Sequence, residues 1–138
     1  MHLITGVGVL VADLYNPKRI LMGKRKSKLG NEEWSFPGGK QEYGETILSA
    51  AYREVKEETG LCLDKLQFLF TSYDMVNDTS YTTHHFLSKH KFDGLFCKEN
   101  REFSKWEIFD MDCLPNNMFL FSKETINYYR TYILKENF

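Results

Sequence analysis

The stretch from Trp34 to Gly60 limits what this chain can fold into more than any other part of it. Trp34-Ser35-Phe36 reads as a short strand that Pro37 ends, because its ring fixes φ. Gly38 and Gly39 then complete a forced turn with conformations closed to other residues. From Thr46 to Glu58 no Gly or Pro intervenes, and Leu48, Ala51 and Val55 recur at helical spacing. The spacing predicts an amphipathic helix that Gly60 caps. On that helix Glu54, Glu57 and Glu58 fall within about 100° of arc. Like charges so placed cost roughly 0.2–0.5 kcal/mol per pair and crowd the C-terminal end, where the macrodipole disfavours anions. A solvated acidic face would tolerate this cost, and a bound cation would remove it, since hard ions such as Mg²⁺ take carboxylate and carbonyl oxygens.

Around this segment the chain alternates in a simple order. Residues 3–12 set Val7, Val9 and Val11 against Ile4, Gly6, Gly8 and Leu10, the pattern of a strand buried on both faces. Arg19 to Lys24 reads as its hairpin partner after Asn16-Pro17, and a polar loop fills 27–33. Residues 65–75 and 80–90 read as antiparallel strands flanking Asn77-Asp78, with a further strand at Lys105 to Phe109. Ser122 is placed to cap a last helix running to Lys135, with Ile126, Tyr129 and Ile133 at helical intervals. Strands, helix, strands, helix fits a mixed sheet covered by helices better than an alternating dinucleotide-binding fold.

The totals narrow the function classes. With 138 residues, 42% of them hydrophobic, the expectation is one domain over 1–138 with a real core. A net charge of -1 gives no footprint for sequence-independent nucleic-acid binding, and no stable nucleic-acid partner is expected. Cys62, Cys97 and Cys113 are odd in number and scattered, against a disulfide framework or zinc site. No signal peptide is legible at the N-terminus and no apolar run is long enough to span a bilayer, so the expected compartment is the cytoplasm, without a membrane partner. The only dense basic run, Lys24 to Lys28, reads as a phosphate-steering or solvated loop.

Each position in the central segment has a physical use. The glycines let backbone pass close to a ligand and can turn the Gly38 carbonyl toward a metal. Glu57 and Glu58, neighbours on the helix, can share cations, while Glu54 one turn earlier can bind a cation or take a proton from water. Arg53 faces Glu57 and is placed to orient a carboxylate, with Glu45 a second partner. Its bland alternative is a surface ion pair worth at most about 1 kcal/mol.

The run from Gly39 to Leu61 resembles the Nudix box: Gly39, five residues, Glu45, seven residues, Arg53-Glu54, Val55, any residue, Glu57-Glu58, any residue, Gly60-Leu61. Chance agreement at seven fixed places has a probability on the order of 10⁻⁸ per start position. The resemblance implies an α/β (α+β) fold, an α/β/α sandwich with a mixed central sheet and the box as loop-helix-loop. It also implies hydrolysis of a nucleoside diphosphate linked to another group, with Mg²⁺, or Mn²⁺ in its place, bridging the box glutamates and the diphosphate. Which glutamate acts as base varies among members. Glu54 is the assignment here, with Arg53 and Glu57 beside it and Gly38, Glu54, Glu57 and Glu58 as ligands.

Outside the box, Trp34 to Lys40 looks like the entry strand of MutT-like members that cut nucleoside triphosphates, and Trp106-Glu-Ile-Phe with Leu114-Pro115 looks like their later part. In that subgroup a glutamate returns to the metal from a loop, and Glu99 is the candidate, with a solvated residue in a charged run as an even alternative. ADP-ribose-cleaving members carry a proline after the box that this chain lacks between Pro37 and Pro115, so a nucleoside triphosphate is the expected substrate. Lys40 is a candidate for substrate binding, and Trp34, Phe36, Tyr73, Asn117 and Phe119 are candidates for the base, the aromatics weighed against core packing and Asn117 against a turn. Nucleotide sugars, dinucleoside polyphosphates, RNA caps and a sensor that binds without cutting stay open, as does a homodimer.

Overall fold

Strand β1 (His2–Asp13) sends Val7, Val9 and Val11 to one side of the sheet, where they pack on Ala50, Ala51 and Val55 of helix α1 (Ile47–Thr59). Leu10 and Ala12 point to the other side, toward Ile126 of helix α2 (Leu120–Tyr128) and the adjoining Tyr129. Two apolar clusters therefore flank one sheet, the α/β/α sandwich that a strand buried on both faces demands. These relations come from a computed structural model that describes residues 2–95, 97 and 99–135; Met1 and Lys98, in segments read above, lie outside them.

Along one edge β1 runs parallel to β6 (Thr79–His90), which pairs antiparallel with β5 (Gln67–Val76) across a turn where Asn77 takes φ 55°. On its other edge β1 meets β2 (Arg19–Arg25) at Ala12 opposite Ile20, and the two then part. The Trp34–Lys40 segment fills the fork: β3 (Trp34–Ser35) pairs with β2, and β4 (Gly38–Lys40) pairs with β1. Strand β7 (Phe103–Asp110) lies antiparallel on the outer edge of β2. Among the described residues these seven strands form one mixed sheet.

The fork corrects the reading of Pro37-Gly38-Gly39 as a turn. Gly38 and Gly39 are strand residues opposite Gly8 and Val7, and neither is among the glycines with positive φ. They are glycines because of crowding. A Cβ on Gly38 would stand 2.2 Å from the Val7 carbonyl oxygen, and one on Gly39 would stand 2.6 Å from the Glu54 carboxyl carbon.

Helix α1 is closed at both ends by its own sequence. The Thr46 hydroxyl accepts from Ser49 N while the Ser49 hydroxyl accepts from Thr46 N, and Gly60 at φ 80° ends the helix with its N–H on the Lys56 carbonyl. Helix α2 differs from expectation. It starts after Phe119 with no side-chain cap, and Ser122 lies buried in its first turn, where its hydroxyl accepts from Phe36 N at 3.1 Å. A π-helical turn (Tyr129–Ile133) follows, anchored where buried Tyr129 donates to the Pro17 carbonyl at 2.6 Å.

Candidate active site

A cleft of about 940 Å³ opens beside the β1–β2 fork, and residues of both helices line it. One end is acidic. Arg53 organises it: Nε and Nη2 grip both oxygens of Glu45 at 2.5 and 2.9 Å, Nη1 reaches Glu54 at 2.9 Å and Glu57 at 3.1 Å, and Nη2 also donates to the Lys40 carbonyl. One guanidinium thus ties the loop before α1 to the acidic face of α1 and the end of β4. The hydrogen bond from Arg53, then that from Glu42 N, pull the Glu45 carboxyl down to about 2. Arg53 itself is held above its ordinary range, first by Glu45.

Glu58 is the most enclosed of the acidic side chains that line the cleft. It is 7% exposed and accepts from Gly38 N at 2.8 Å. Burial pushes its carboxyl up to about 9, against the pull of that N–H and with nearby Glu54 and Glu102 adding to the rise. Burial also raises Glu54, partly offset by Arg53. Desolvated carboxyls beside one another at the floor of an open cleft are costly as they stand. Among the described residues no three acidic, His or Cys side chains close around a single point. The donor set is nonetheless hard oxygen throughout, which suits Mg²⁺ or Mn²⁺, and a cation would offset the desolvation that raises Glu54 and Glu58.

The other end is aromatic and neutral. Phe36, Phe119, Phe121 and Tyr81 line it with Ser35, Thr83, Ser122 and Thr125. Buried His85 links the walls: its Nε2 pairs with Ser72 and its Nδ1 with Thr125, while its ring stacks on Phe70 at 4.3 Å. Thr125 donates to the Phe121 carbonyl, so the network runs from β5 through β6 into α2. Burial holds His85 down at about 4, neutral and structural. Between the two ends Arg25 lies 3.9 Å over the Phe119 ring, and burial lowers its pKa.

The structure brings together Gly38, Lys40, Arg53, Glu54, Glu57, Glu58, Phe36 and Phe119 in this one cleft. It does not bring in four others. Trp34 is core, edge-on to Phe109; Tyr73 is exposed on β5 and outside the cleft lining; Asn117 is exposed and donates to the Glu32 carbonyl; Glu99 is exposed and outside the cleft lining. Glu102, three residues on, lines the cleft instead and acts on both Glu54 and Glu58. The charged run 98–102 offered no periodicity to single it out. What selects it is the pairing of the next residue, Phe103, with Arg25 on β2. Thr83 was likewise not marked by any motif, Ser122 was read only as a helix cap, Ser35 only as part of a short strand, and Arg25 only as part of the basic run from Lys24 to Lys28.

Residues 4–129 match the NUDIX domain family, and the chain belongs to that family. It is MutT-like. Over 100 residues it is 32% identical to the oxidized purine nucleoside triphosphate hydrolase of Danio rerio, an alignment covering 72% of this chain and 63% of that relative's length. The MutT NUDIX hydrolase structure from Burkholderia pseudomallei superposes with a TM-score of 0.79 at 23% identity, over 93% of this chain and 98% of the other. The MutT protein from Methanosarcina mazei Go1 gives 0.77 at 18% identity, over 96% of each chain. No helix among the described residues is long and apolar enough to cross a membrane.

Proposed function

We propose that this chain is a Mg²⁺-dependent pyrophosphohydrolase that cuts a nucleoside triphosphate into the monophosphate and pyrophosphate. The observation that carries the reading is the pair of desolvated carboxyls, Glu54 and Glu58, held by Arg53 and Gly38 at the floor of a cleft whose far end is an aromatic slot. Glu54, Glu57, Glu58 and the Gly38 carbonyl hold the divalent ion, Mg²⁺ or Mn²⁺, with Glu102 rather than Glu99 as the further carboxylate. When bound, the ion supplies neutralisation of diphosphate charge and a more acidic water.

The protein's own part is placement and charge. Arg53 fixes Glu54 and Glu57 in position, so little reorganisation is left for the reaction itself. Glu54, made more basic by burial, takes the proton from the attacking water. Lys40 and Arg25, both lining the cleft, offset the negative charge of the polyphosphate. The name of the Danio rerio relative makes oxidised purine nucleoside triphosphates the first substrates to try.

The test is a panel of common and oxidised nucleoside triphosphates with Mg²⁺, read as pyrophosphate release, for the wild type and Glu57→Gln. The near-isosteric variant should keep its fold and lose at least about 10²-fold in turnover. Near-normal turnover in the variant would remove Glu57 from the machinery. Nucleotide binding with no pyrophosphate from any substrate would replace the hydrolase reading with a sensor.

A further inference from the structure

The loop that carries Glu102 is held by the side chain of one residue, Asn100. Its Oδ1 accepts from Glu102 N at 2.8 Å and from Phe103 N at 3.1 Å, while its Nδ2 donates to the Glu58 carbonyl at 2.6 Å. The oxygen faces two N–H donors and the nitrogen faces a carbonyl, so the network itself fixes which way the amide points. An asparagine that bonded only the backbone two and three residues on would be an ordinary turn residue. The third bond is what differs. It spans 42 residues of sequence to the last turn of α1, where carbonyls lack partners within the helix.

Glu102 depends on control of its backbone. Its side chain is exposed at the cleft, and among the described residues it makes no hydrogen bond or ion pair that would orient it. Its main chain is tied on both sides, the N–H to Asn100 Oδ1 and the carbonyl to Lys26 N at 2.8 Å. The Lys26 bond and the pairing of Phe103 with Arg25 fasten the loop to the sheet. Among the described residues only Asn100 fastens it to α1 by a hydrogen bond. It does so at Glu58, whose own carboxyl is held on Gly38 N at the floor of the cleft. The negative charge of Glu102 adds to the rise of both Glu54 and Glu58, so the loop carboxylate lies within electrostatic reach of the helix carboxylates.

We infer that Asn100 is a positioning residue that straps the Glu102 loop to the end of α1 and so sets the Glu102 carboxylate against Glu58 in one cation site. This rests on the metal assignment of the hydrolase reading above. Both acceptor positions of the Asn100 oxygen are taken by N–H groups, so Asn100 is not itself a ligand and acts through Glu102.

The test is a double-mutant cycle read as the dissociation constant for Mn²⁺ alone, from the spin-resonance signal of the free ion, in wild type, Asn100→Ala, Glu102→Gln and the double variant. Losing a group that orients a ligand costs about tenfold or more in metal affinity. Asn100→Ala should therefore weaken Mn²⁺ by about tenfold in the wild-type chain, and by less than about twofold in the Glu102→Gln chain. Asn100→Ser, whose hydroxyl imitates the turn but is too short to reach Glu58 as well, should match Asn100→Ala, and it carries the cycle if melts show Asn100→Ala unfolded. Wild-type Mn²⁺ affinity in any single variant, or no Mn²⁺ uptake by the wild type at millimolar concentration, would overturn the inference. An equal loss from Asn100→Ala with and without Glu102→Gln would also overturn it, by showing a general structural effect. The two readings fail separately. Coupled Mn²⁺ losses without pyrophosphate from any nucleotide keep the strap and end the hydrolase, and turnover with uncoupled losses does the reverse.

Discussion

Helices α1 and α2 supply the two ends of one cleft, and they are held in place by different means. Helix α1 carries its own start and stop: the Thr46–Ser49 box, the Gly60 cap, and an arginine that binds its acidic face. Among the described residues helix α2 has neither side-chain cap nor ion pair at its start, and it is fixed from outside by Phe36 N on Ser122, His85 on Thr125, and the Tyr129 hydroxyl on Pro17. The charged wall stands on a locally encoded helix, and the neutral wall stands on a helix that the rest of the fold positions. Changes to α1 should therefore separate activity from stability, whereas changes to the supports of α2 should move stability itself.

The sharpest break in this comparison comes at Arg53. Arg53→Ala frees Glu45, Glu54 and Glu57 at once, and turnover should fall by 10²- to 10³-fold, about 3–4 kcal/mol, while the melting temperature moves little. Pyrophosphate release beside a thermal melt checks both halves. A variant that melts far below the wild type would show that α1 depends on tertiary support after all.

The next effect belongs to α2 and to pH. His85 is held near 4 in the folded protein against an ordinary 6.5. Between those values the unfolded chain binds a proton that the folded protein refuses, so this residue's contribution is present above pH 6.5 and is lost as pH falls toward 4. The full loss is roughly 3 kcal/mol. Unfolding free energy measured across this window should decline in the wild type and flatten in His85→Gln, and a flat wild-type profile would sink the assignment. Glu45, with its folded value near 2, adds a further loss only below about pH 4.5.

Two smaller effects sharpen the contrast. Thr46→Ala should cost α1 about 1 kcal/mol by chemical denaturation and leave turnover unchanged. On α2, burial and the neighbouring Asp74 raise Glu124 to about 7. A carboxyl raised in the folded state contributes stability at low pH and loses it as pH rises from about 4.5 through 7. Glu124→Gln should therefore melt slightly higher than wild type at pH 8 and equal it near pH 5; a lower melting point at pH 8 would show that the charged form is the stabilising one.

Much of this site was legible because α1 obeys local rules. The acidic face follows from a 3.6-residue period, Gly60 from the need for a left-handed cap, and the bond from Arg53 to Glu57 from their one-turn spacing. The reach of Arg53 to Glu45 came with the box. Glu99 and Asn117 show where such reading stops. Both sit in polar stretches without a period, and pairing between distant strands, not spacing, decides which side chain turns inward; Glu102 does so because Phe103 next to it is tied to Arg25. Trp34 and Phe36, two residues apart, share a face and one apolar cluster, yet Trp34 is covered edge-on by Phe109 while Phe36, further along the segment, also lines the cleft.

By itself the sequence determined the strand–helix order, the helix that bears the carboxylates, and the chemistry those carboxylates favour, since each depends on residues within a few turns or pleats of one another. Tertiary structure alone decided why Gly38 and Gly39 must lack side chains and which loop glutamate faces Glu54 and Glu58. Those properties arise where backbone segments from different parts of the chain pass within contact distance, and no local period records that approach.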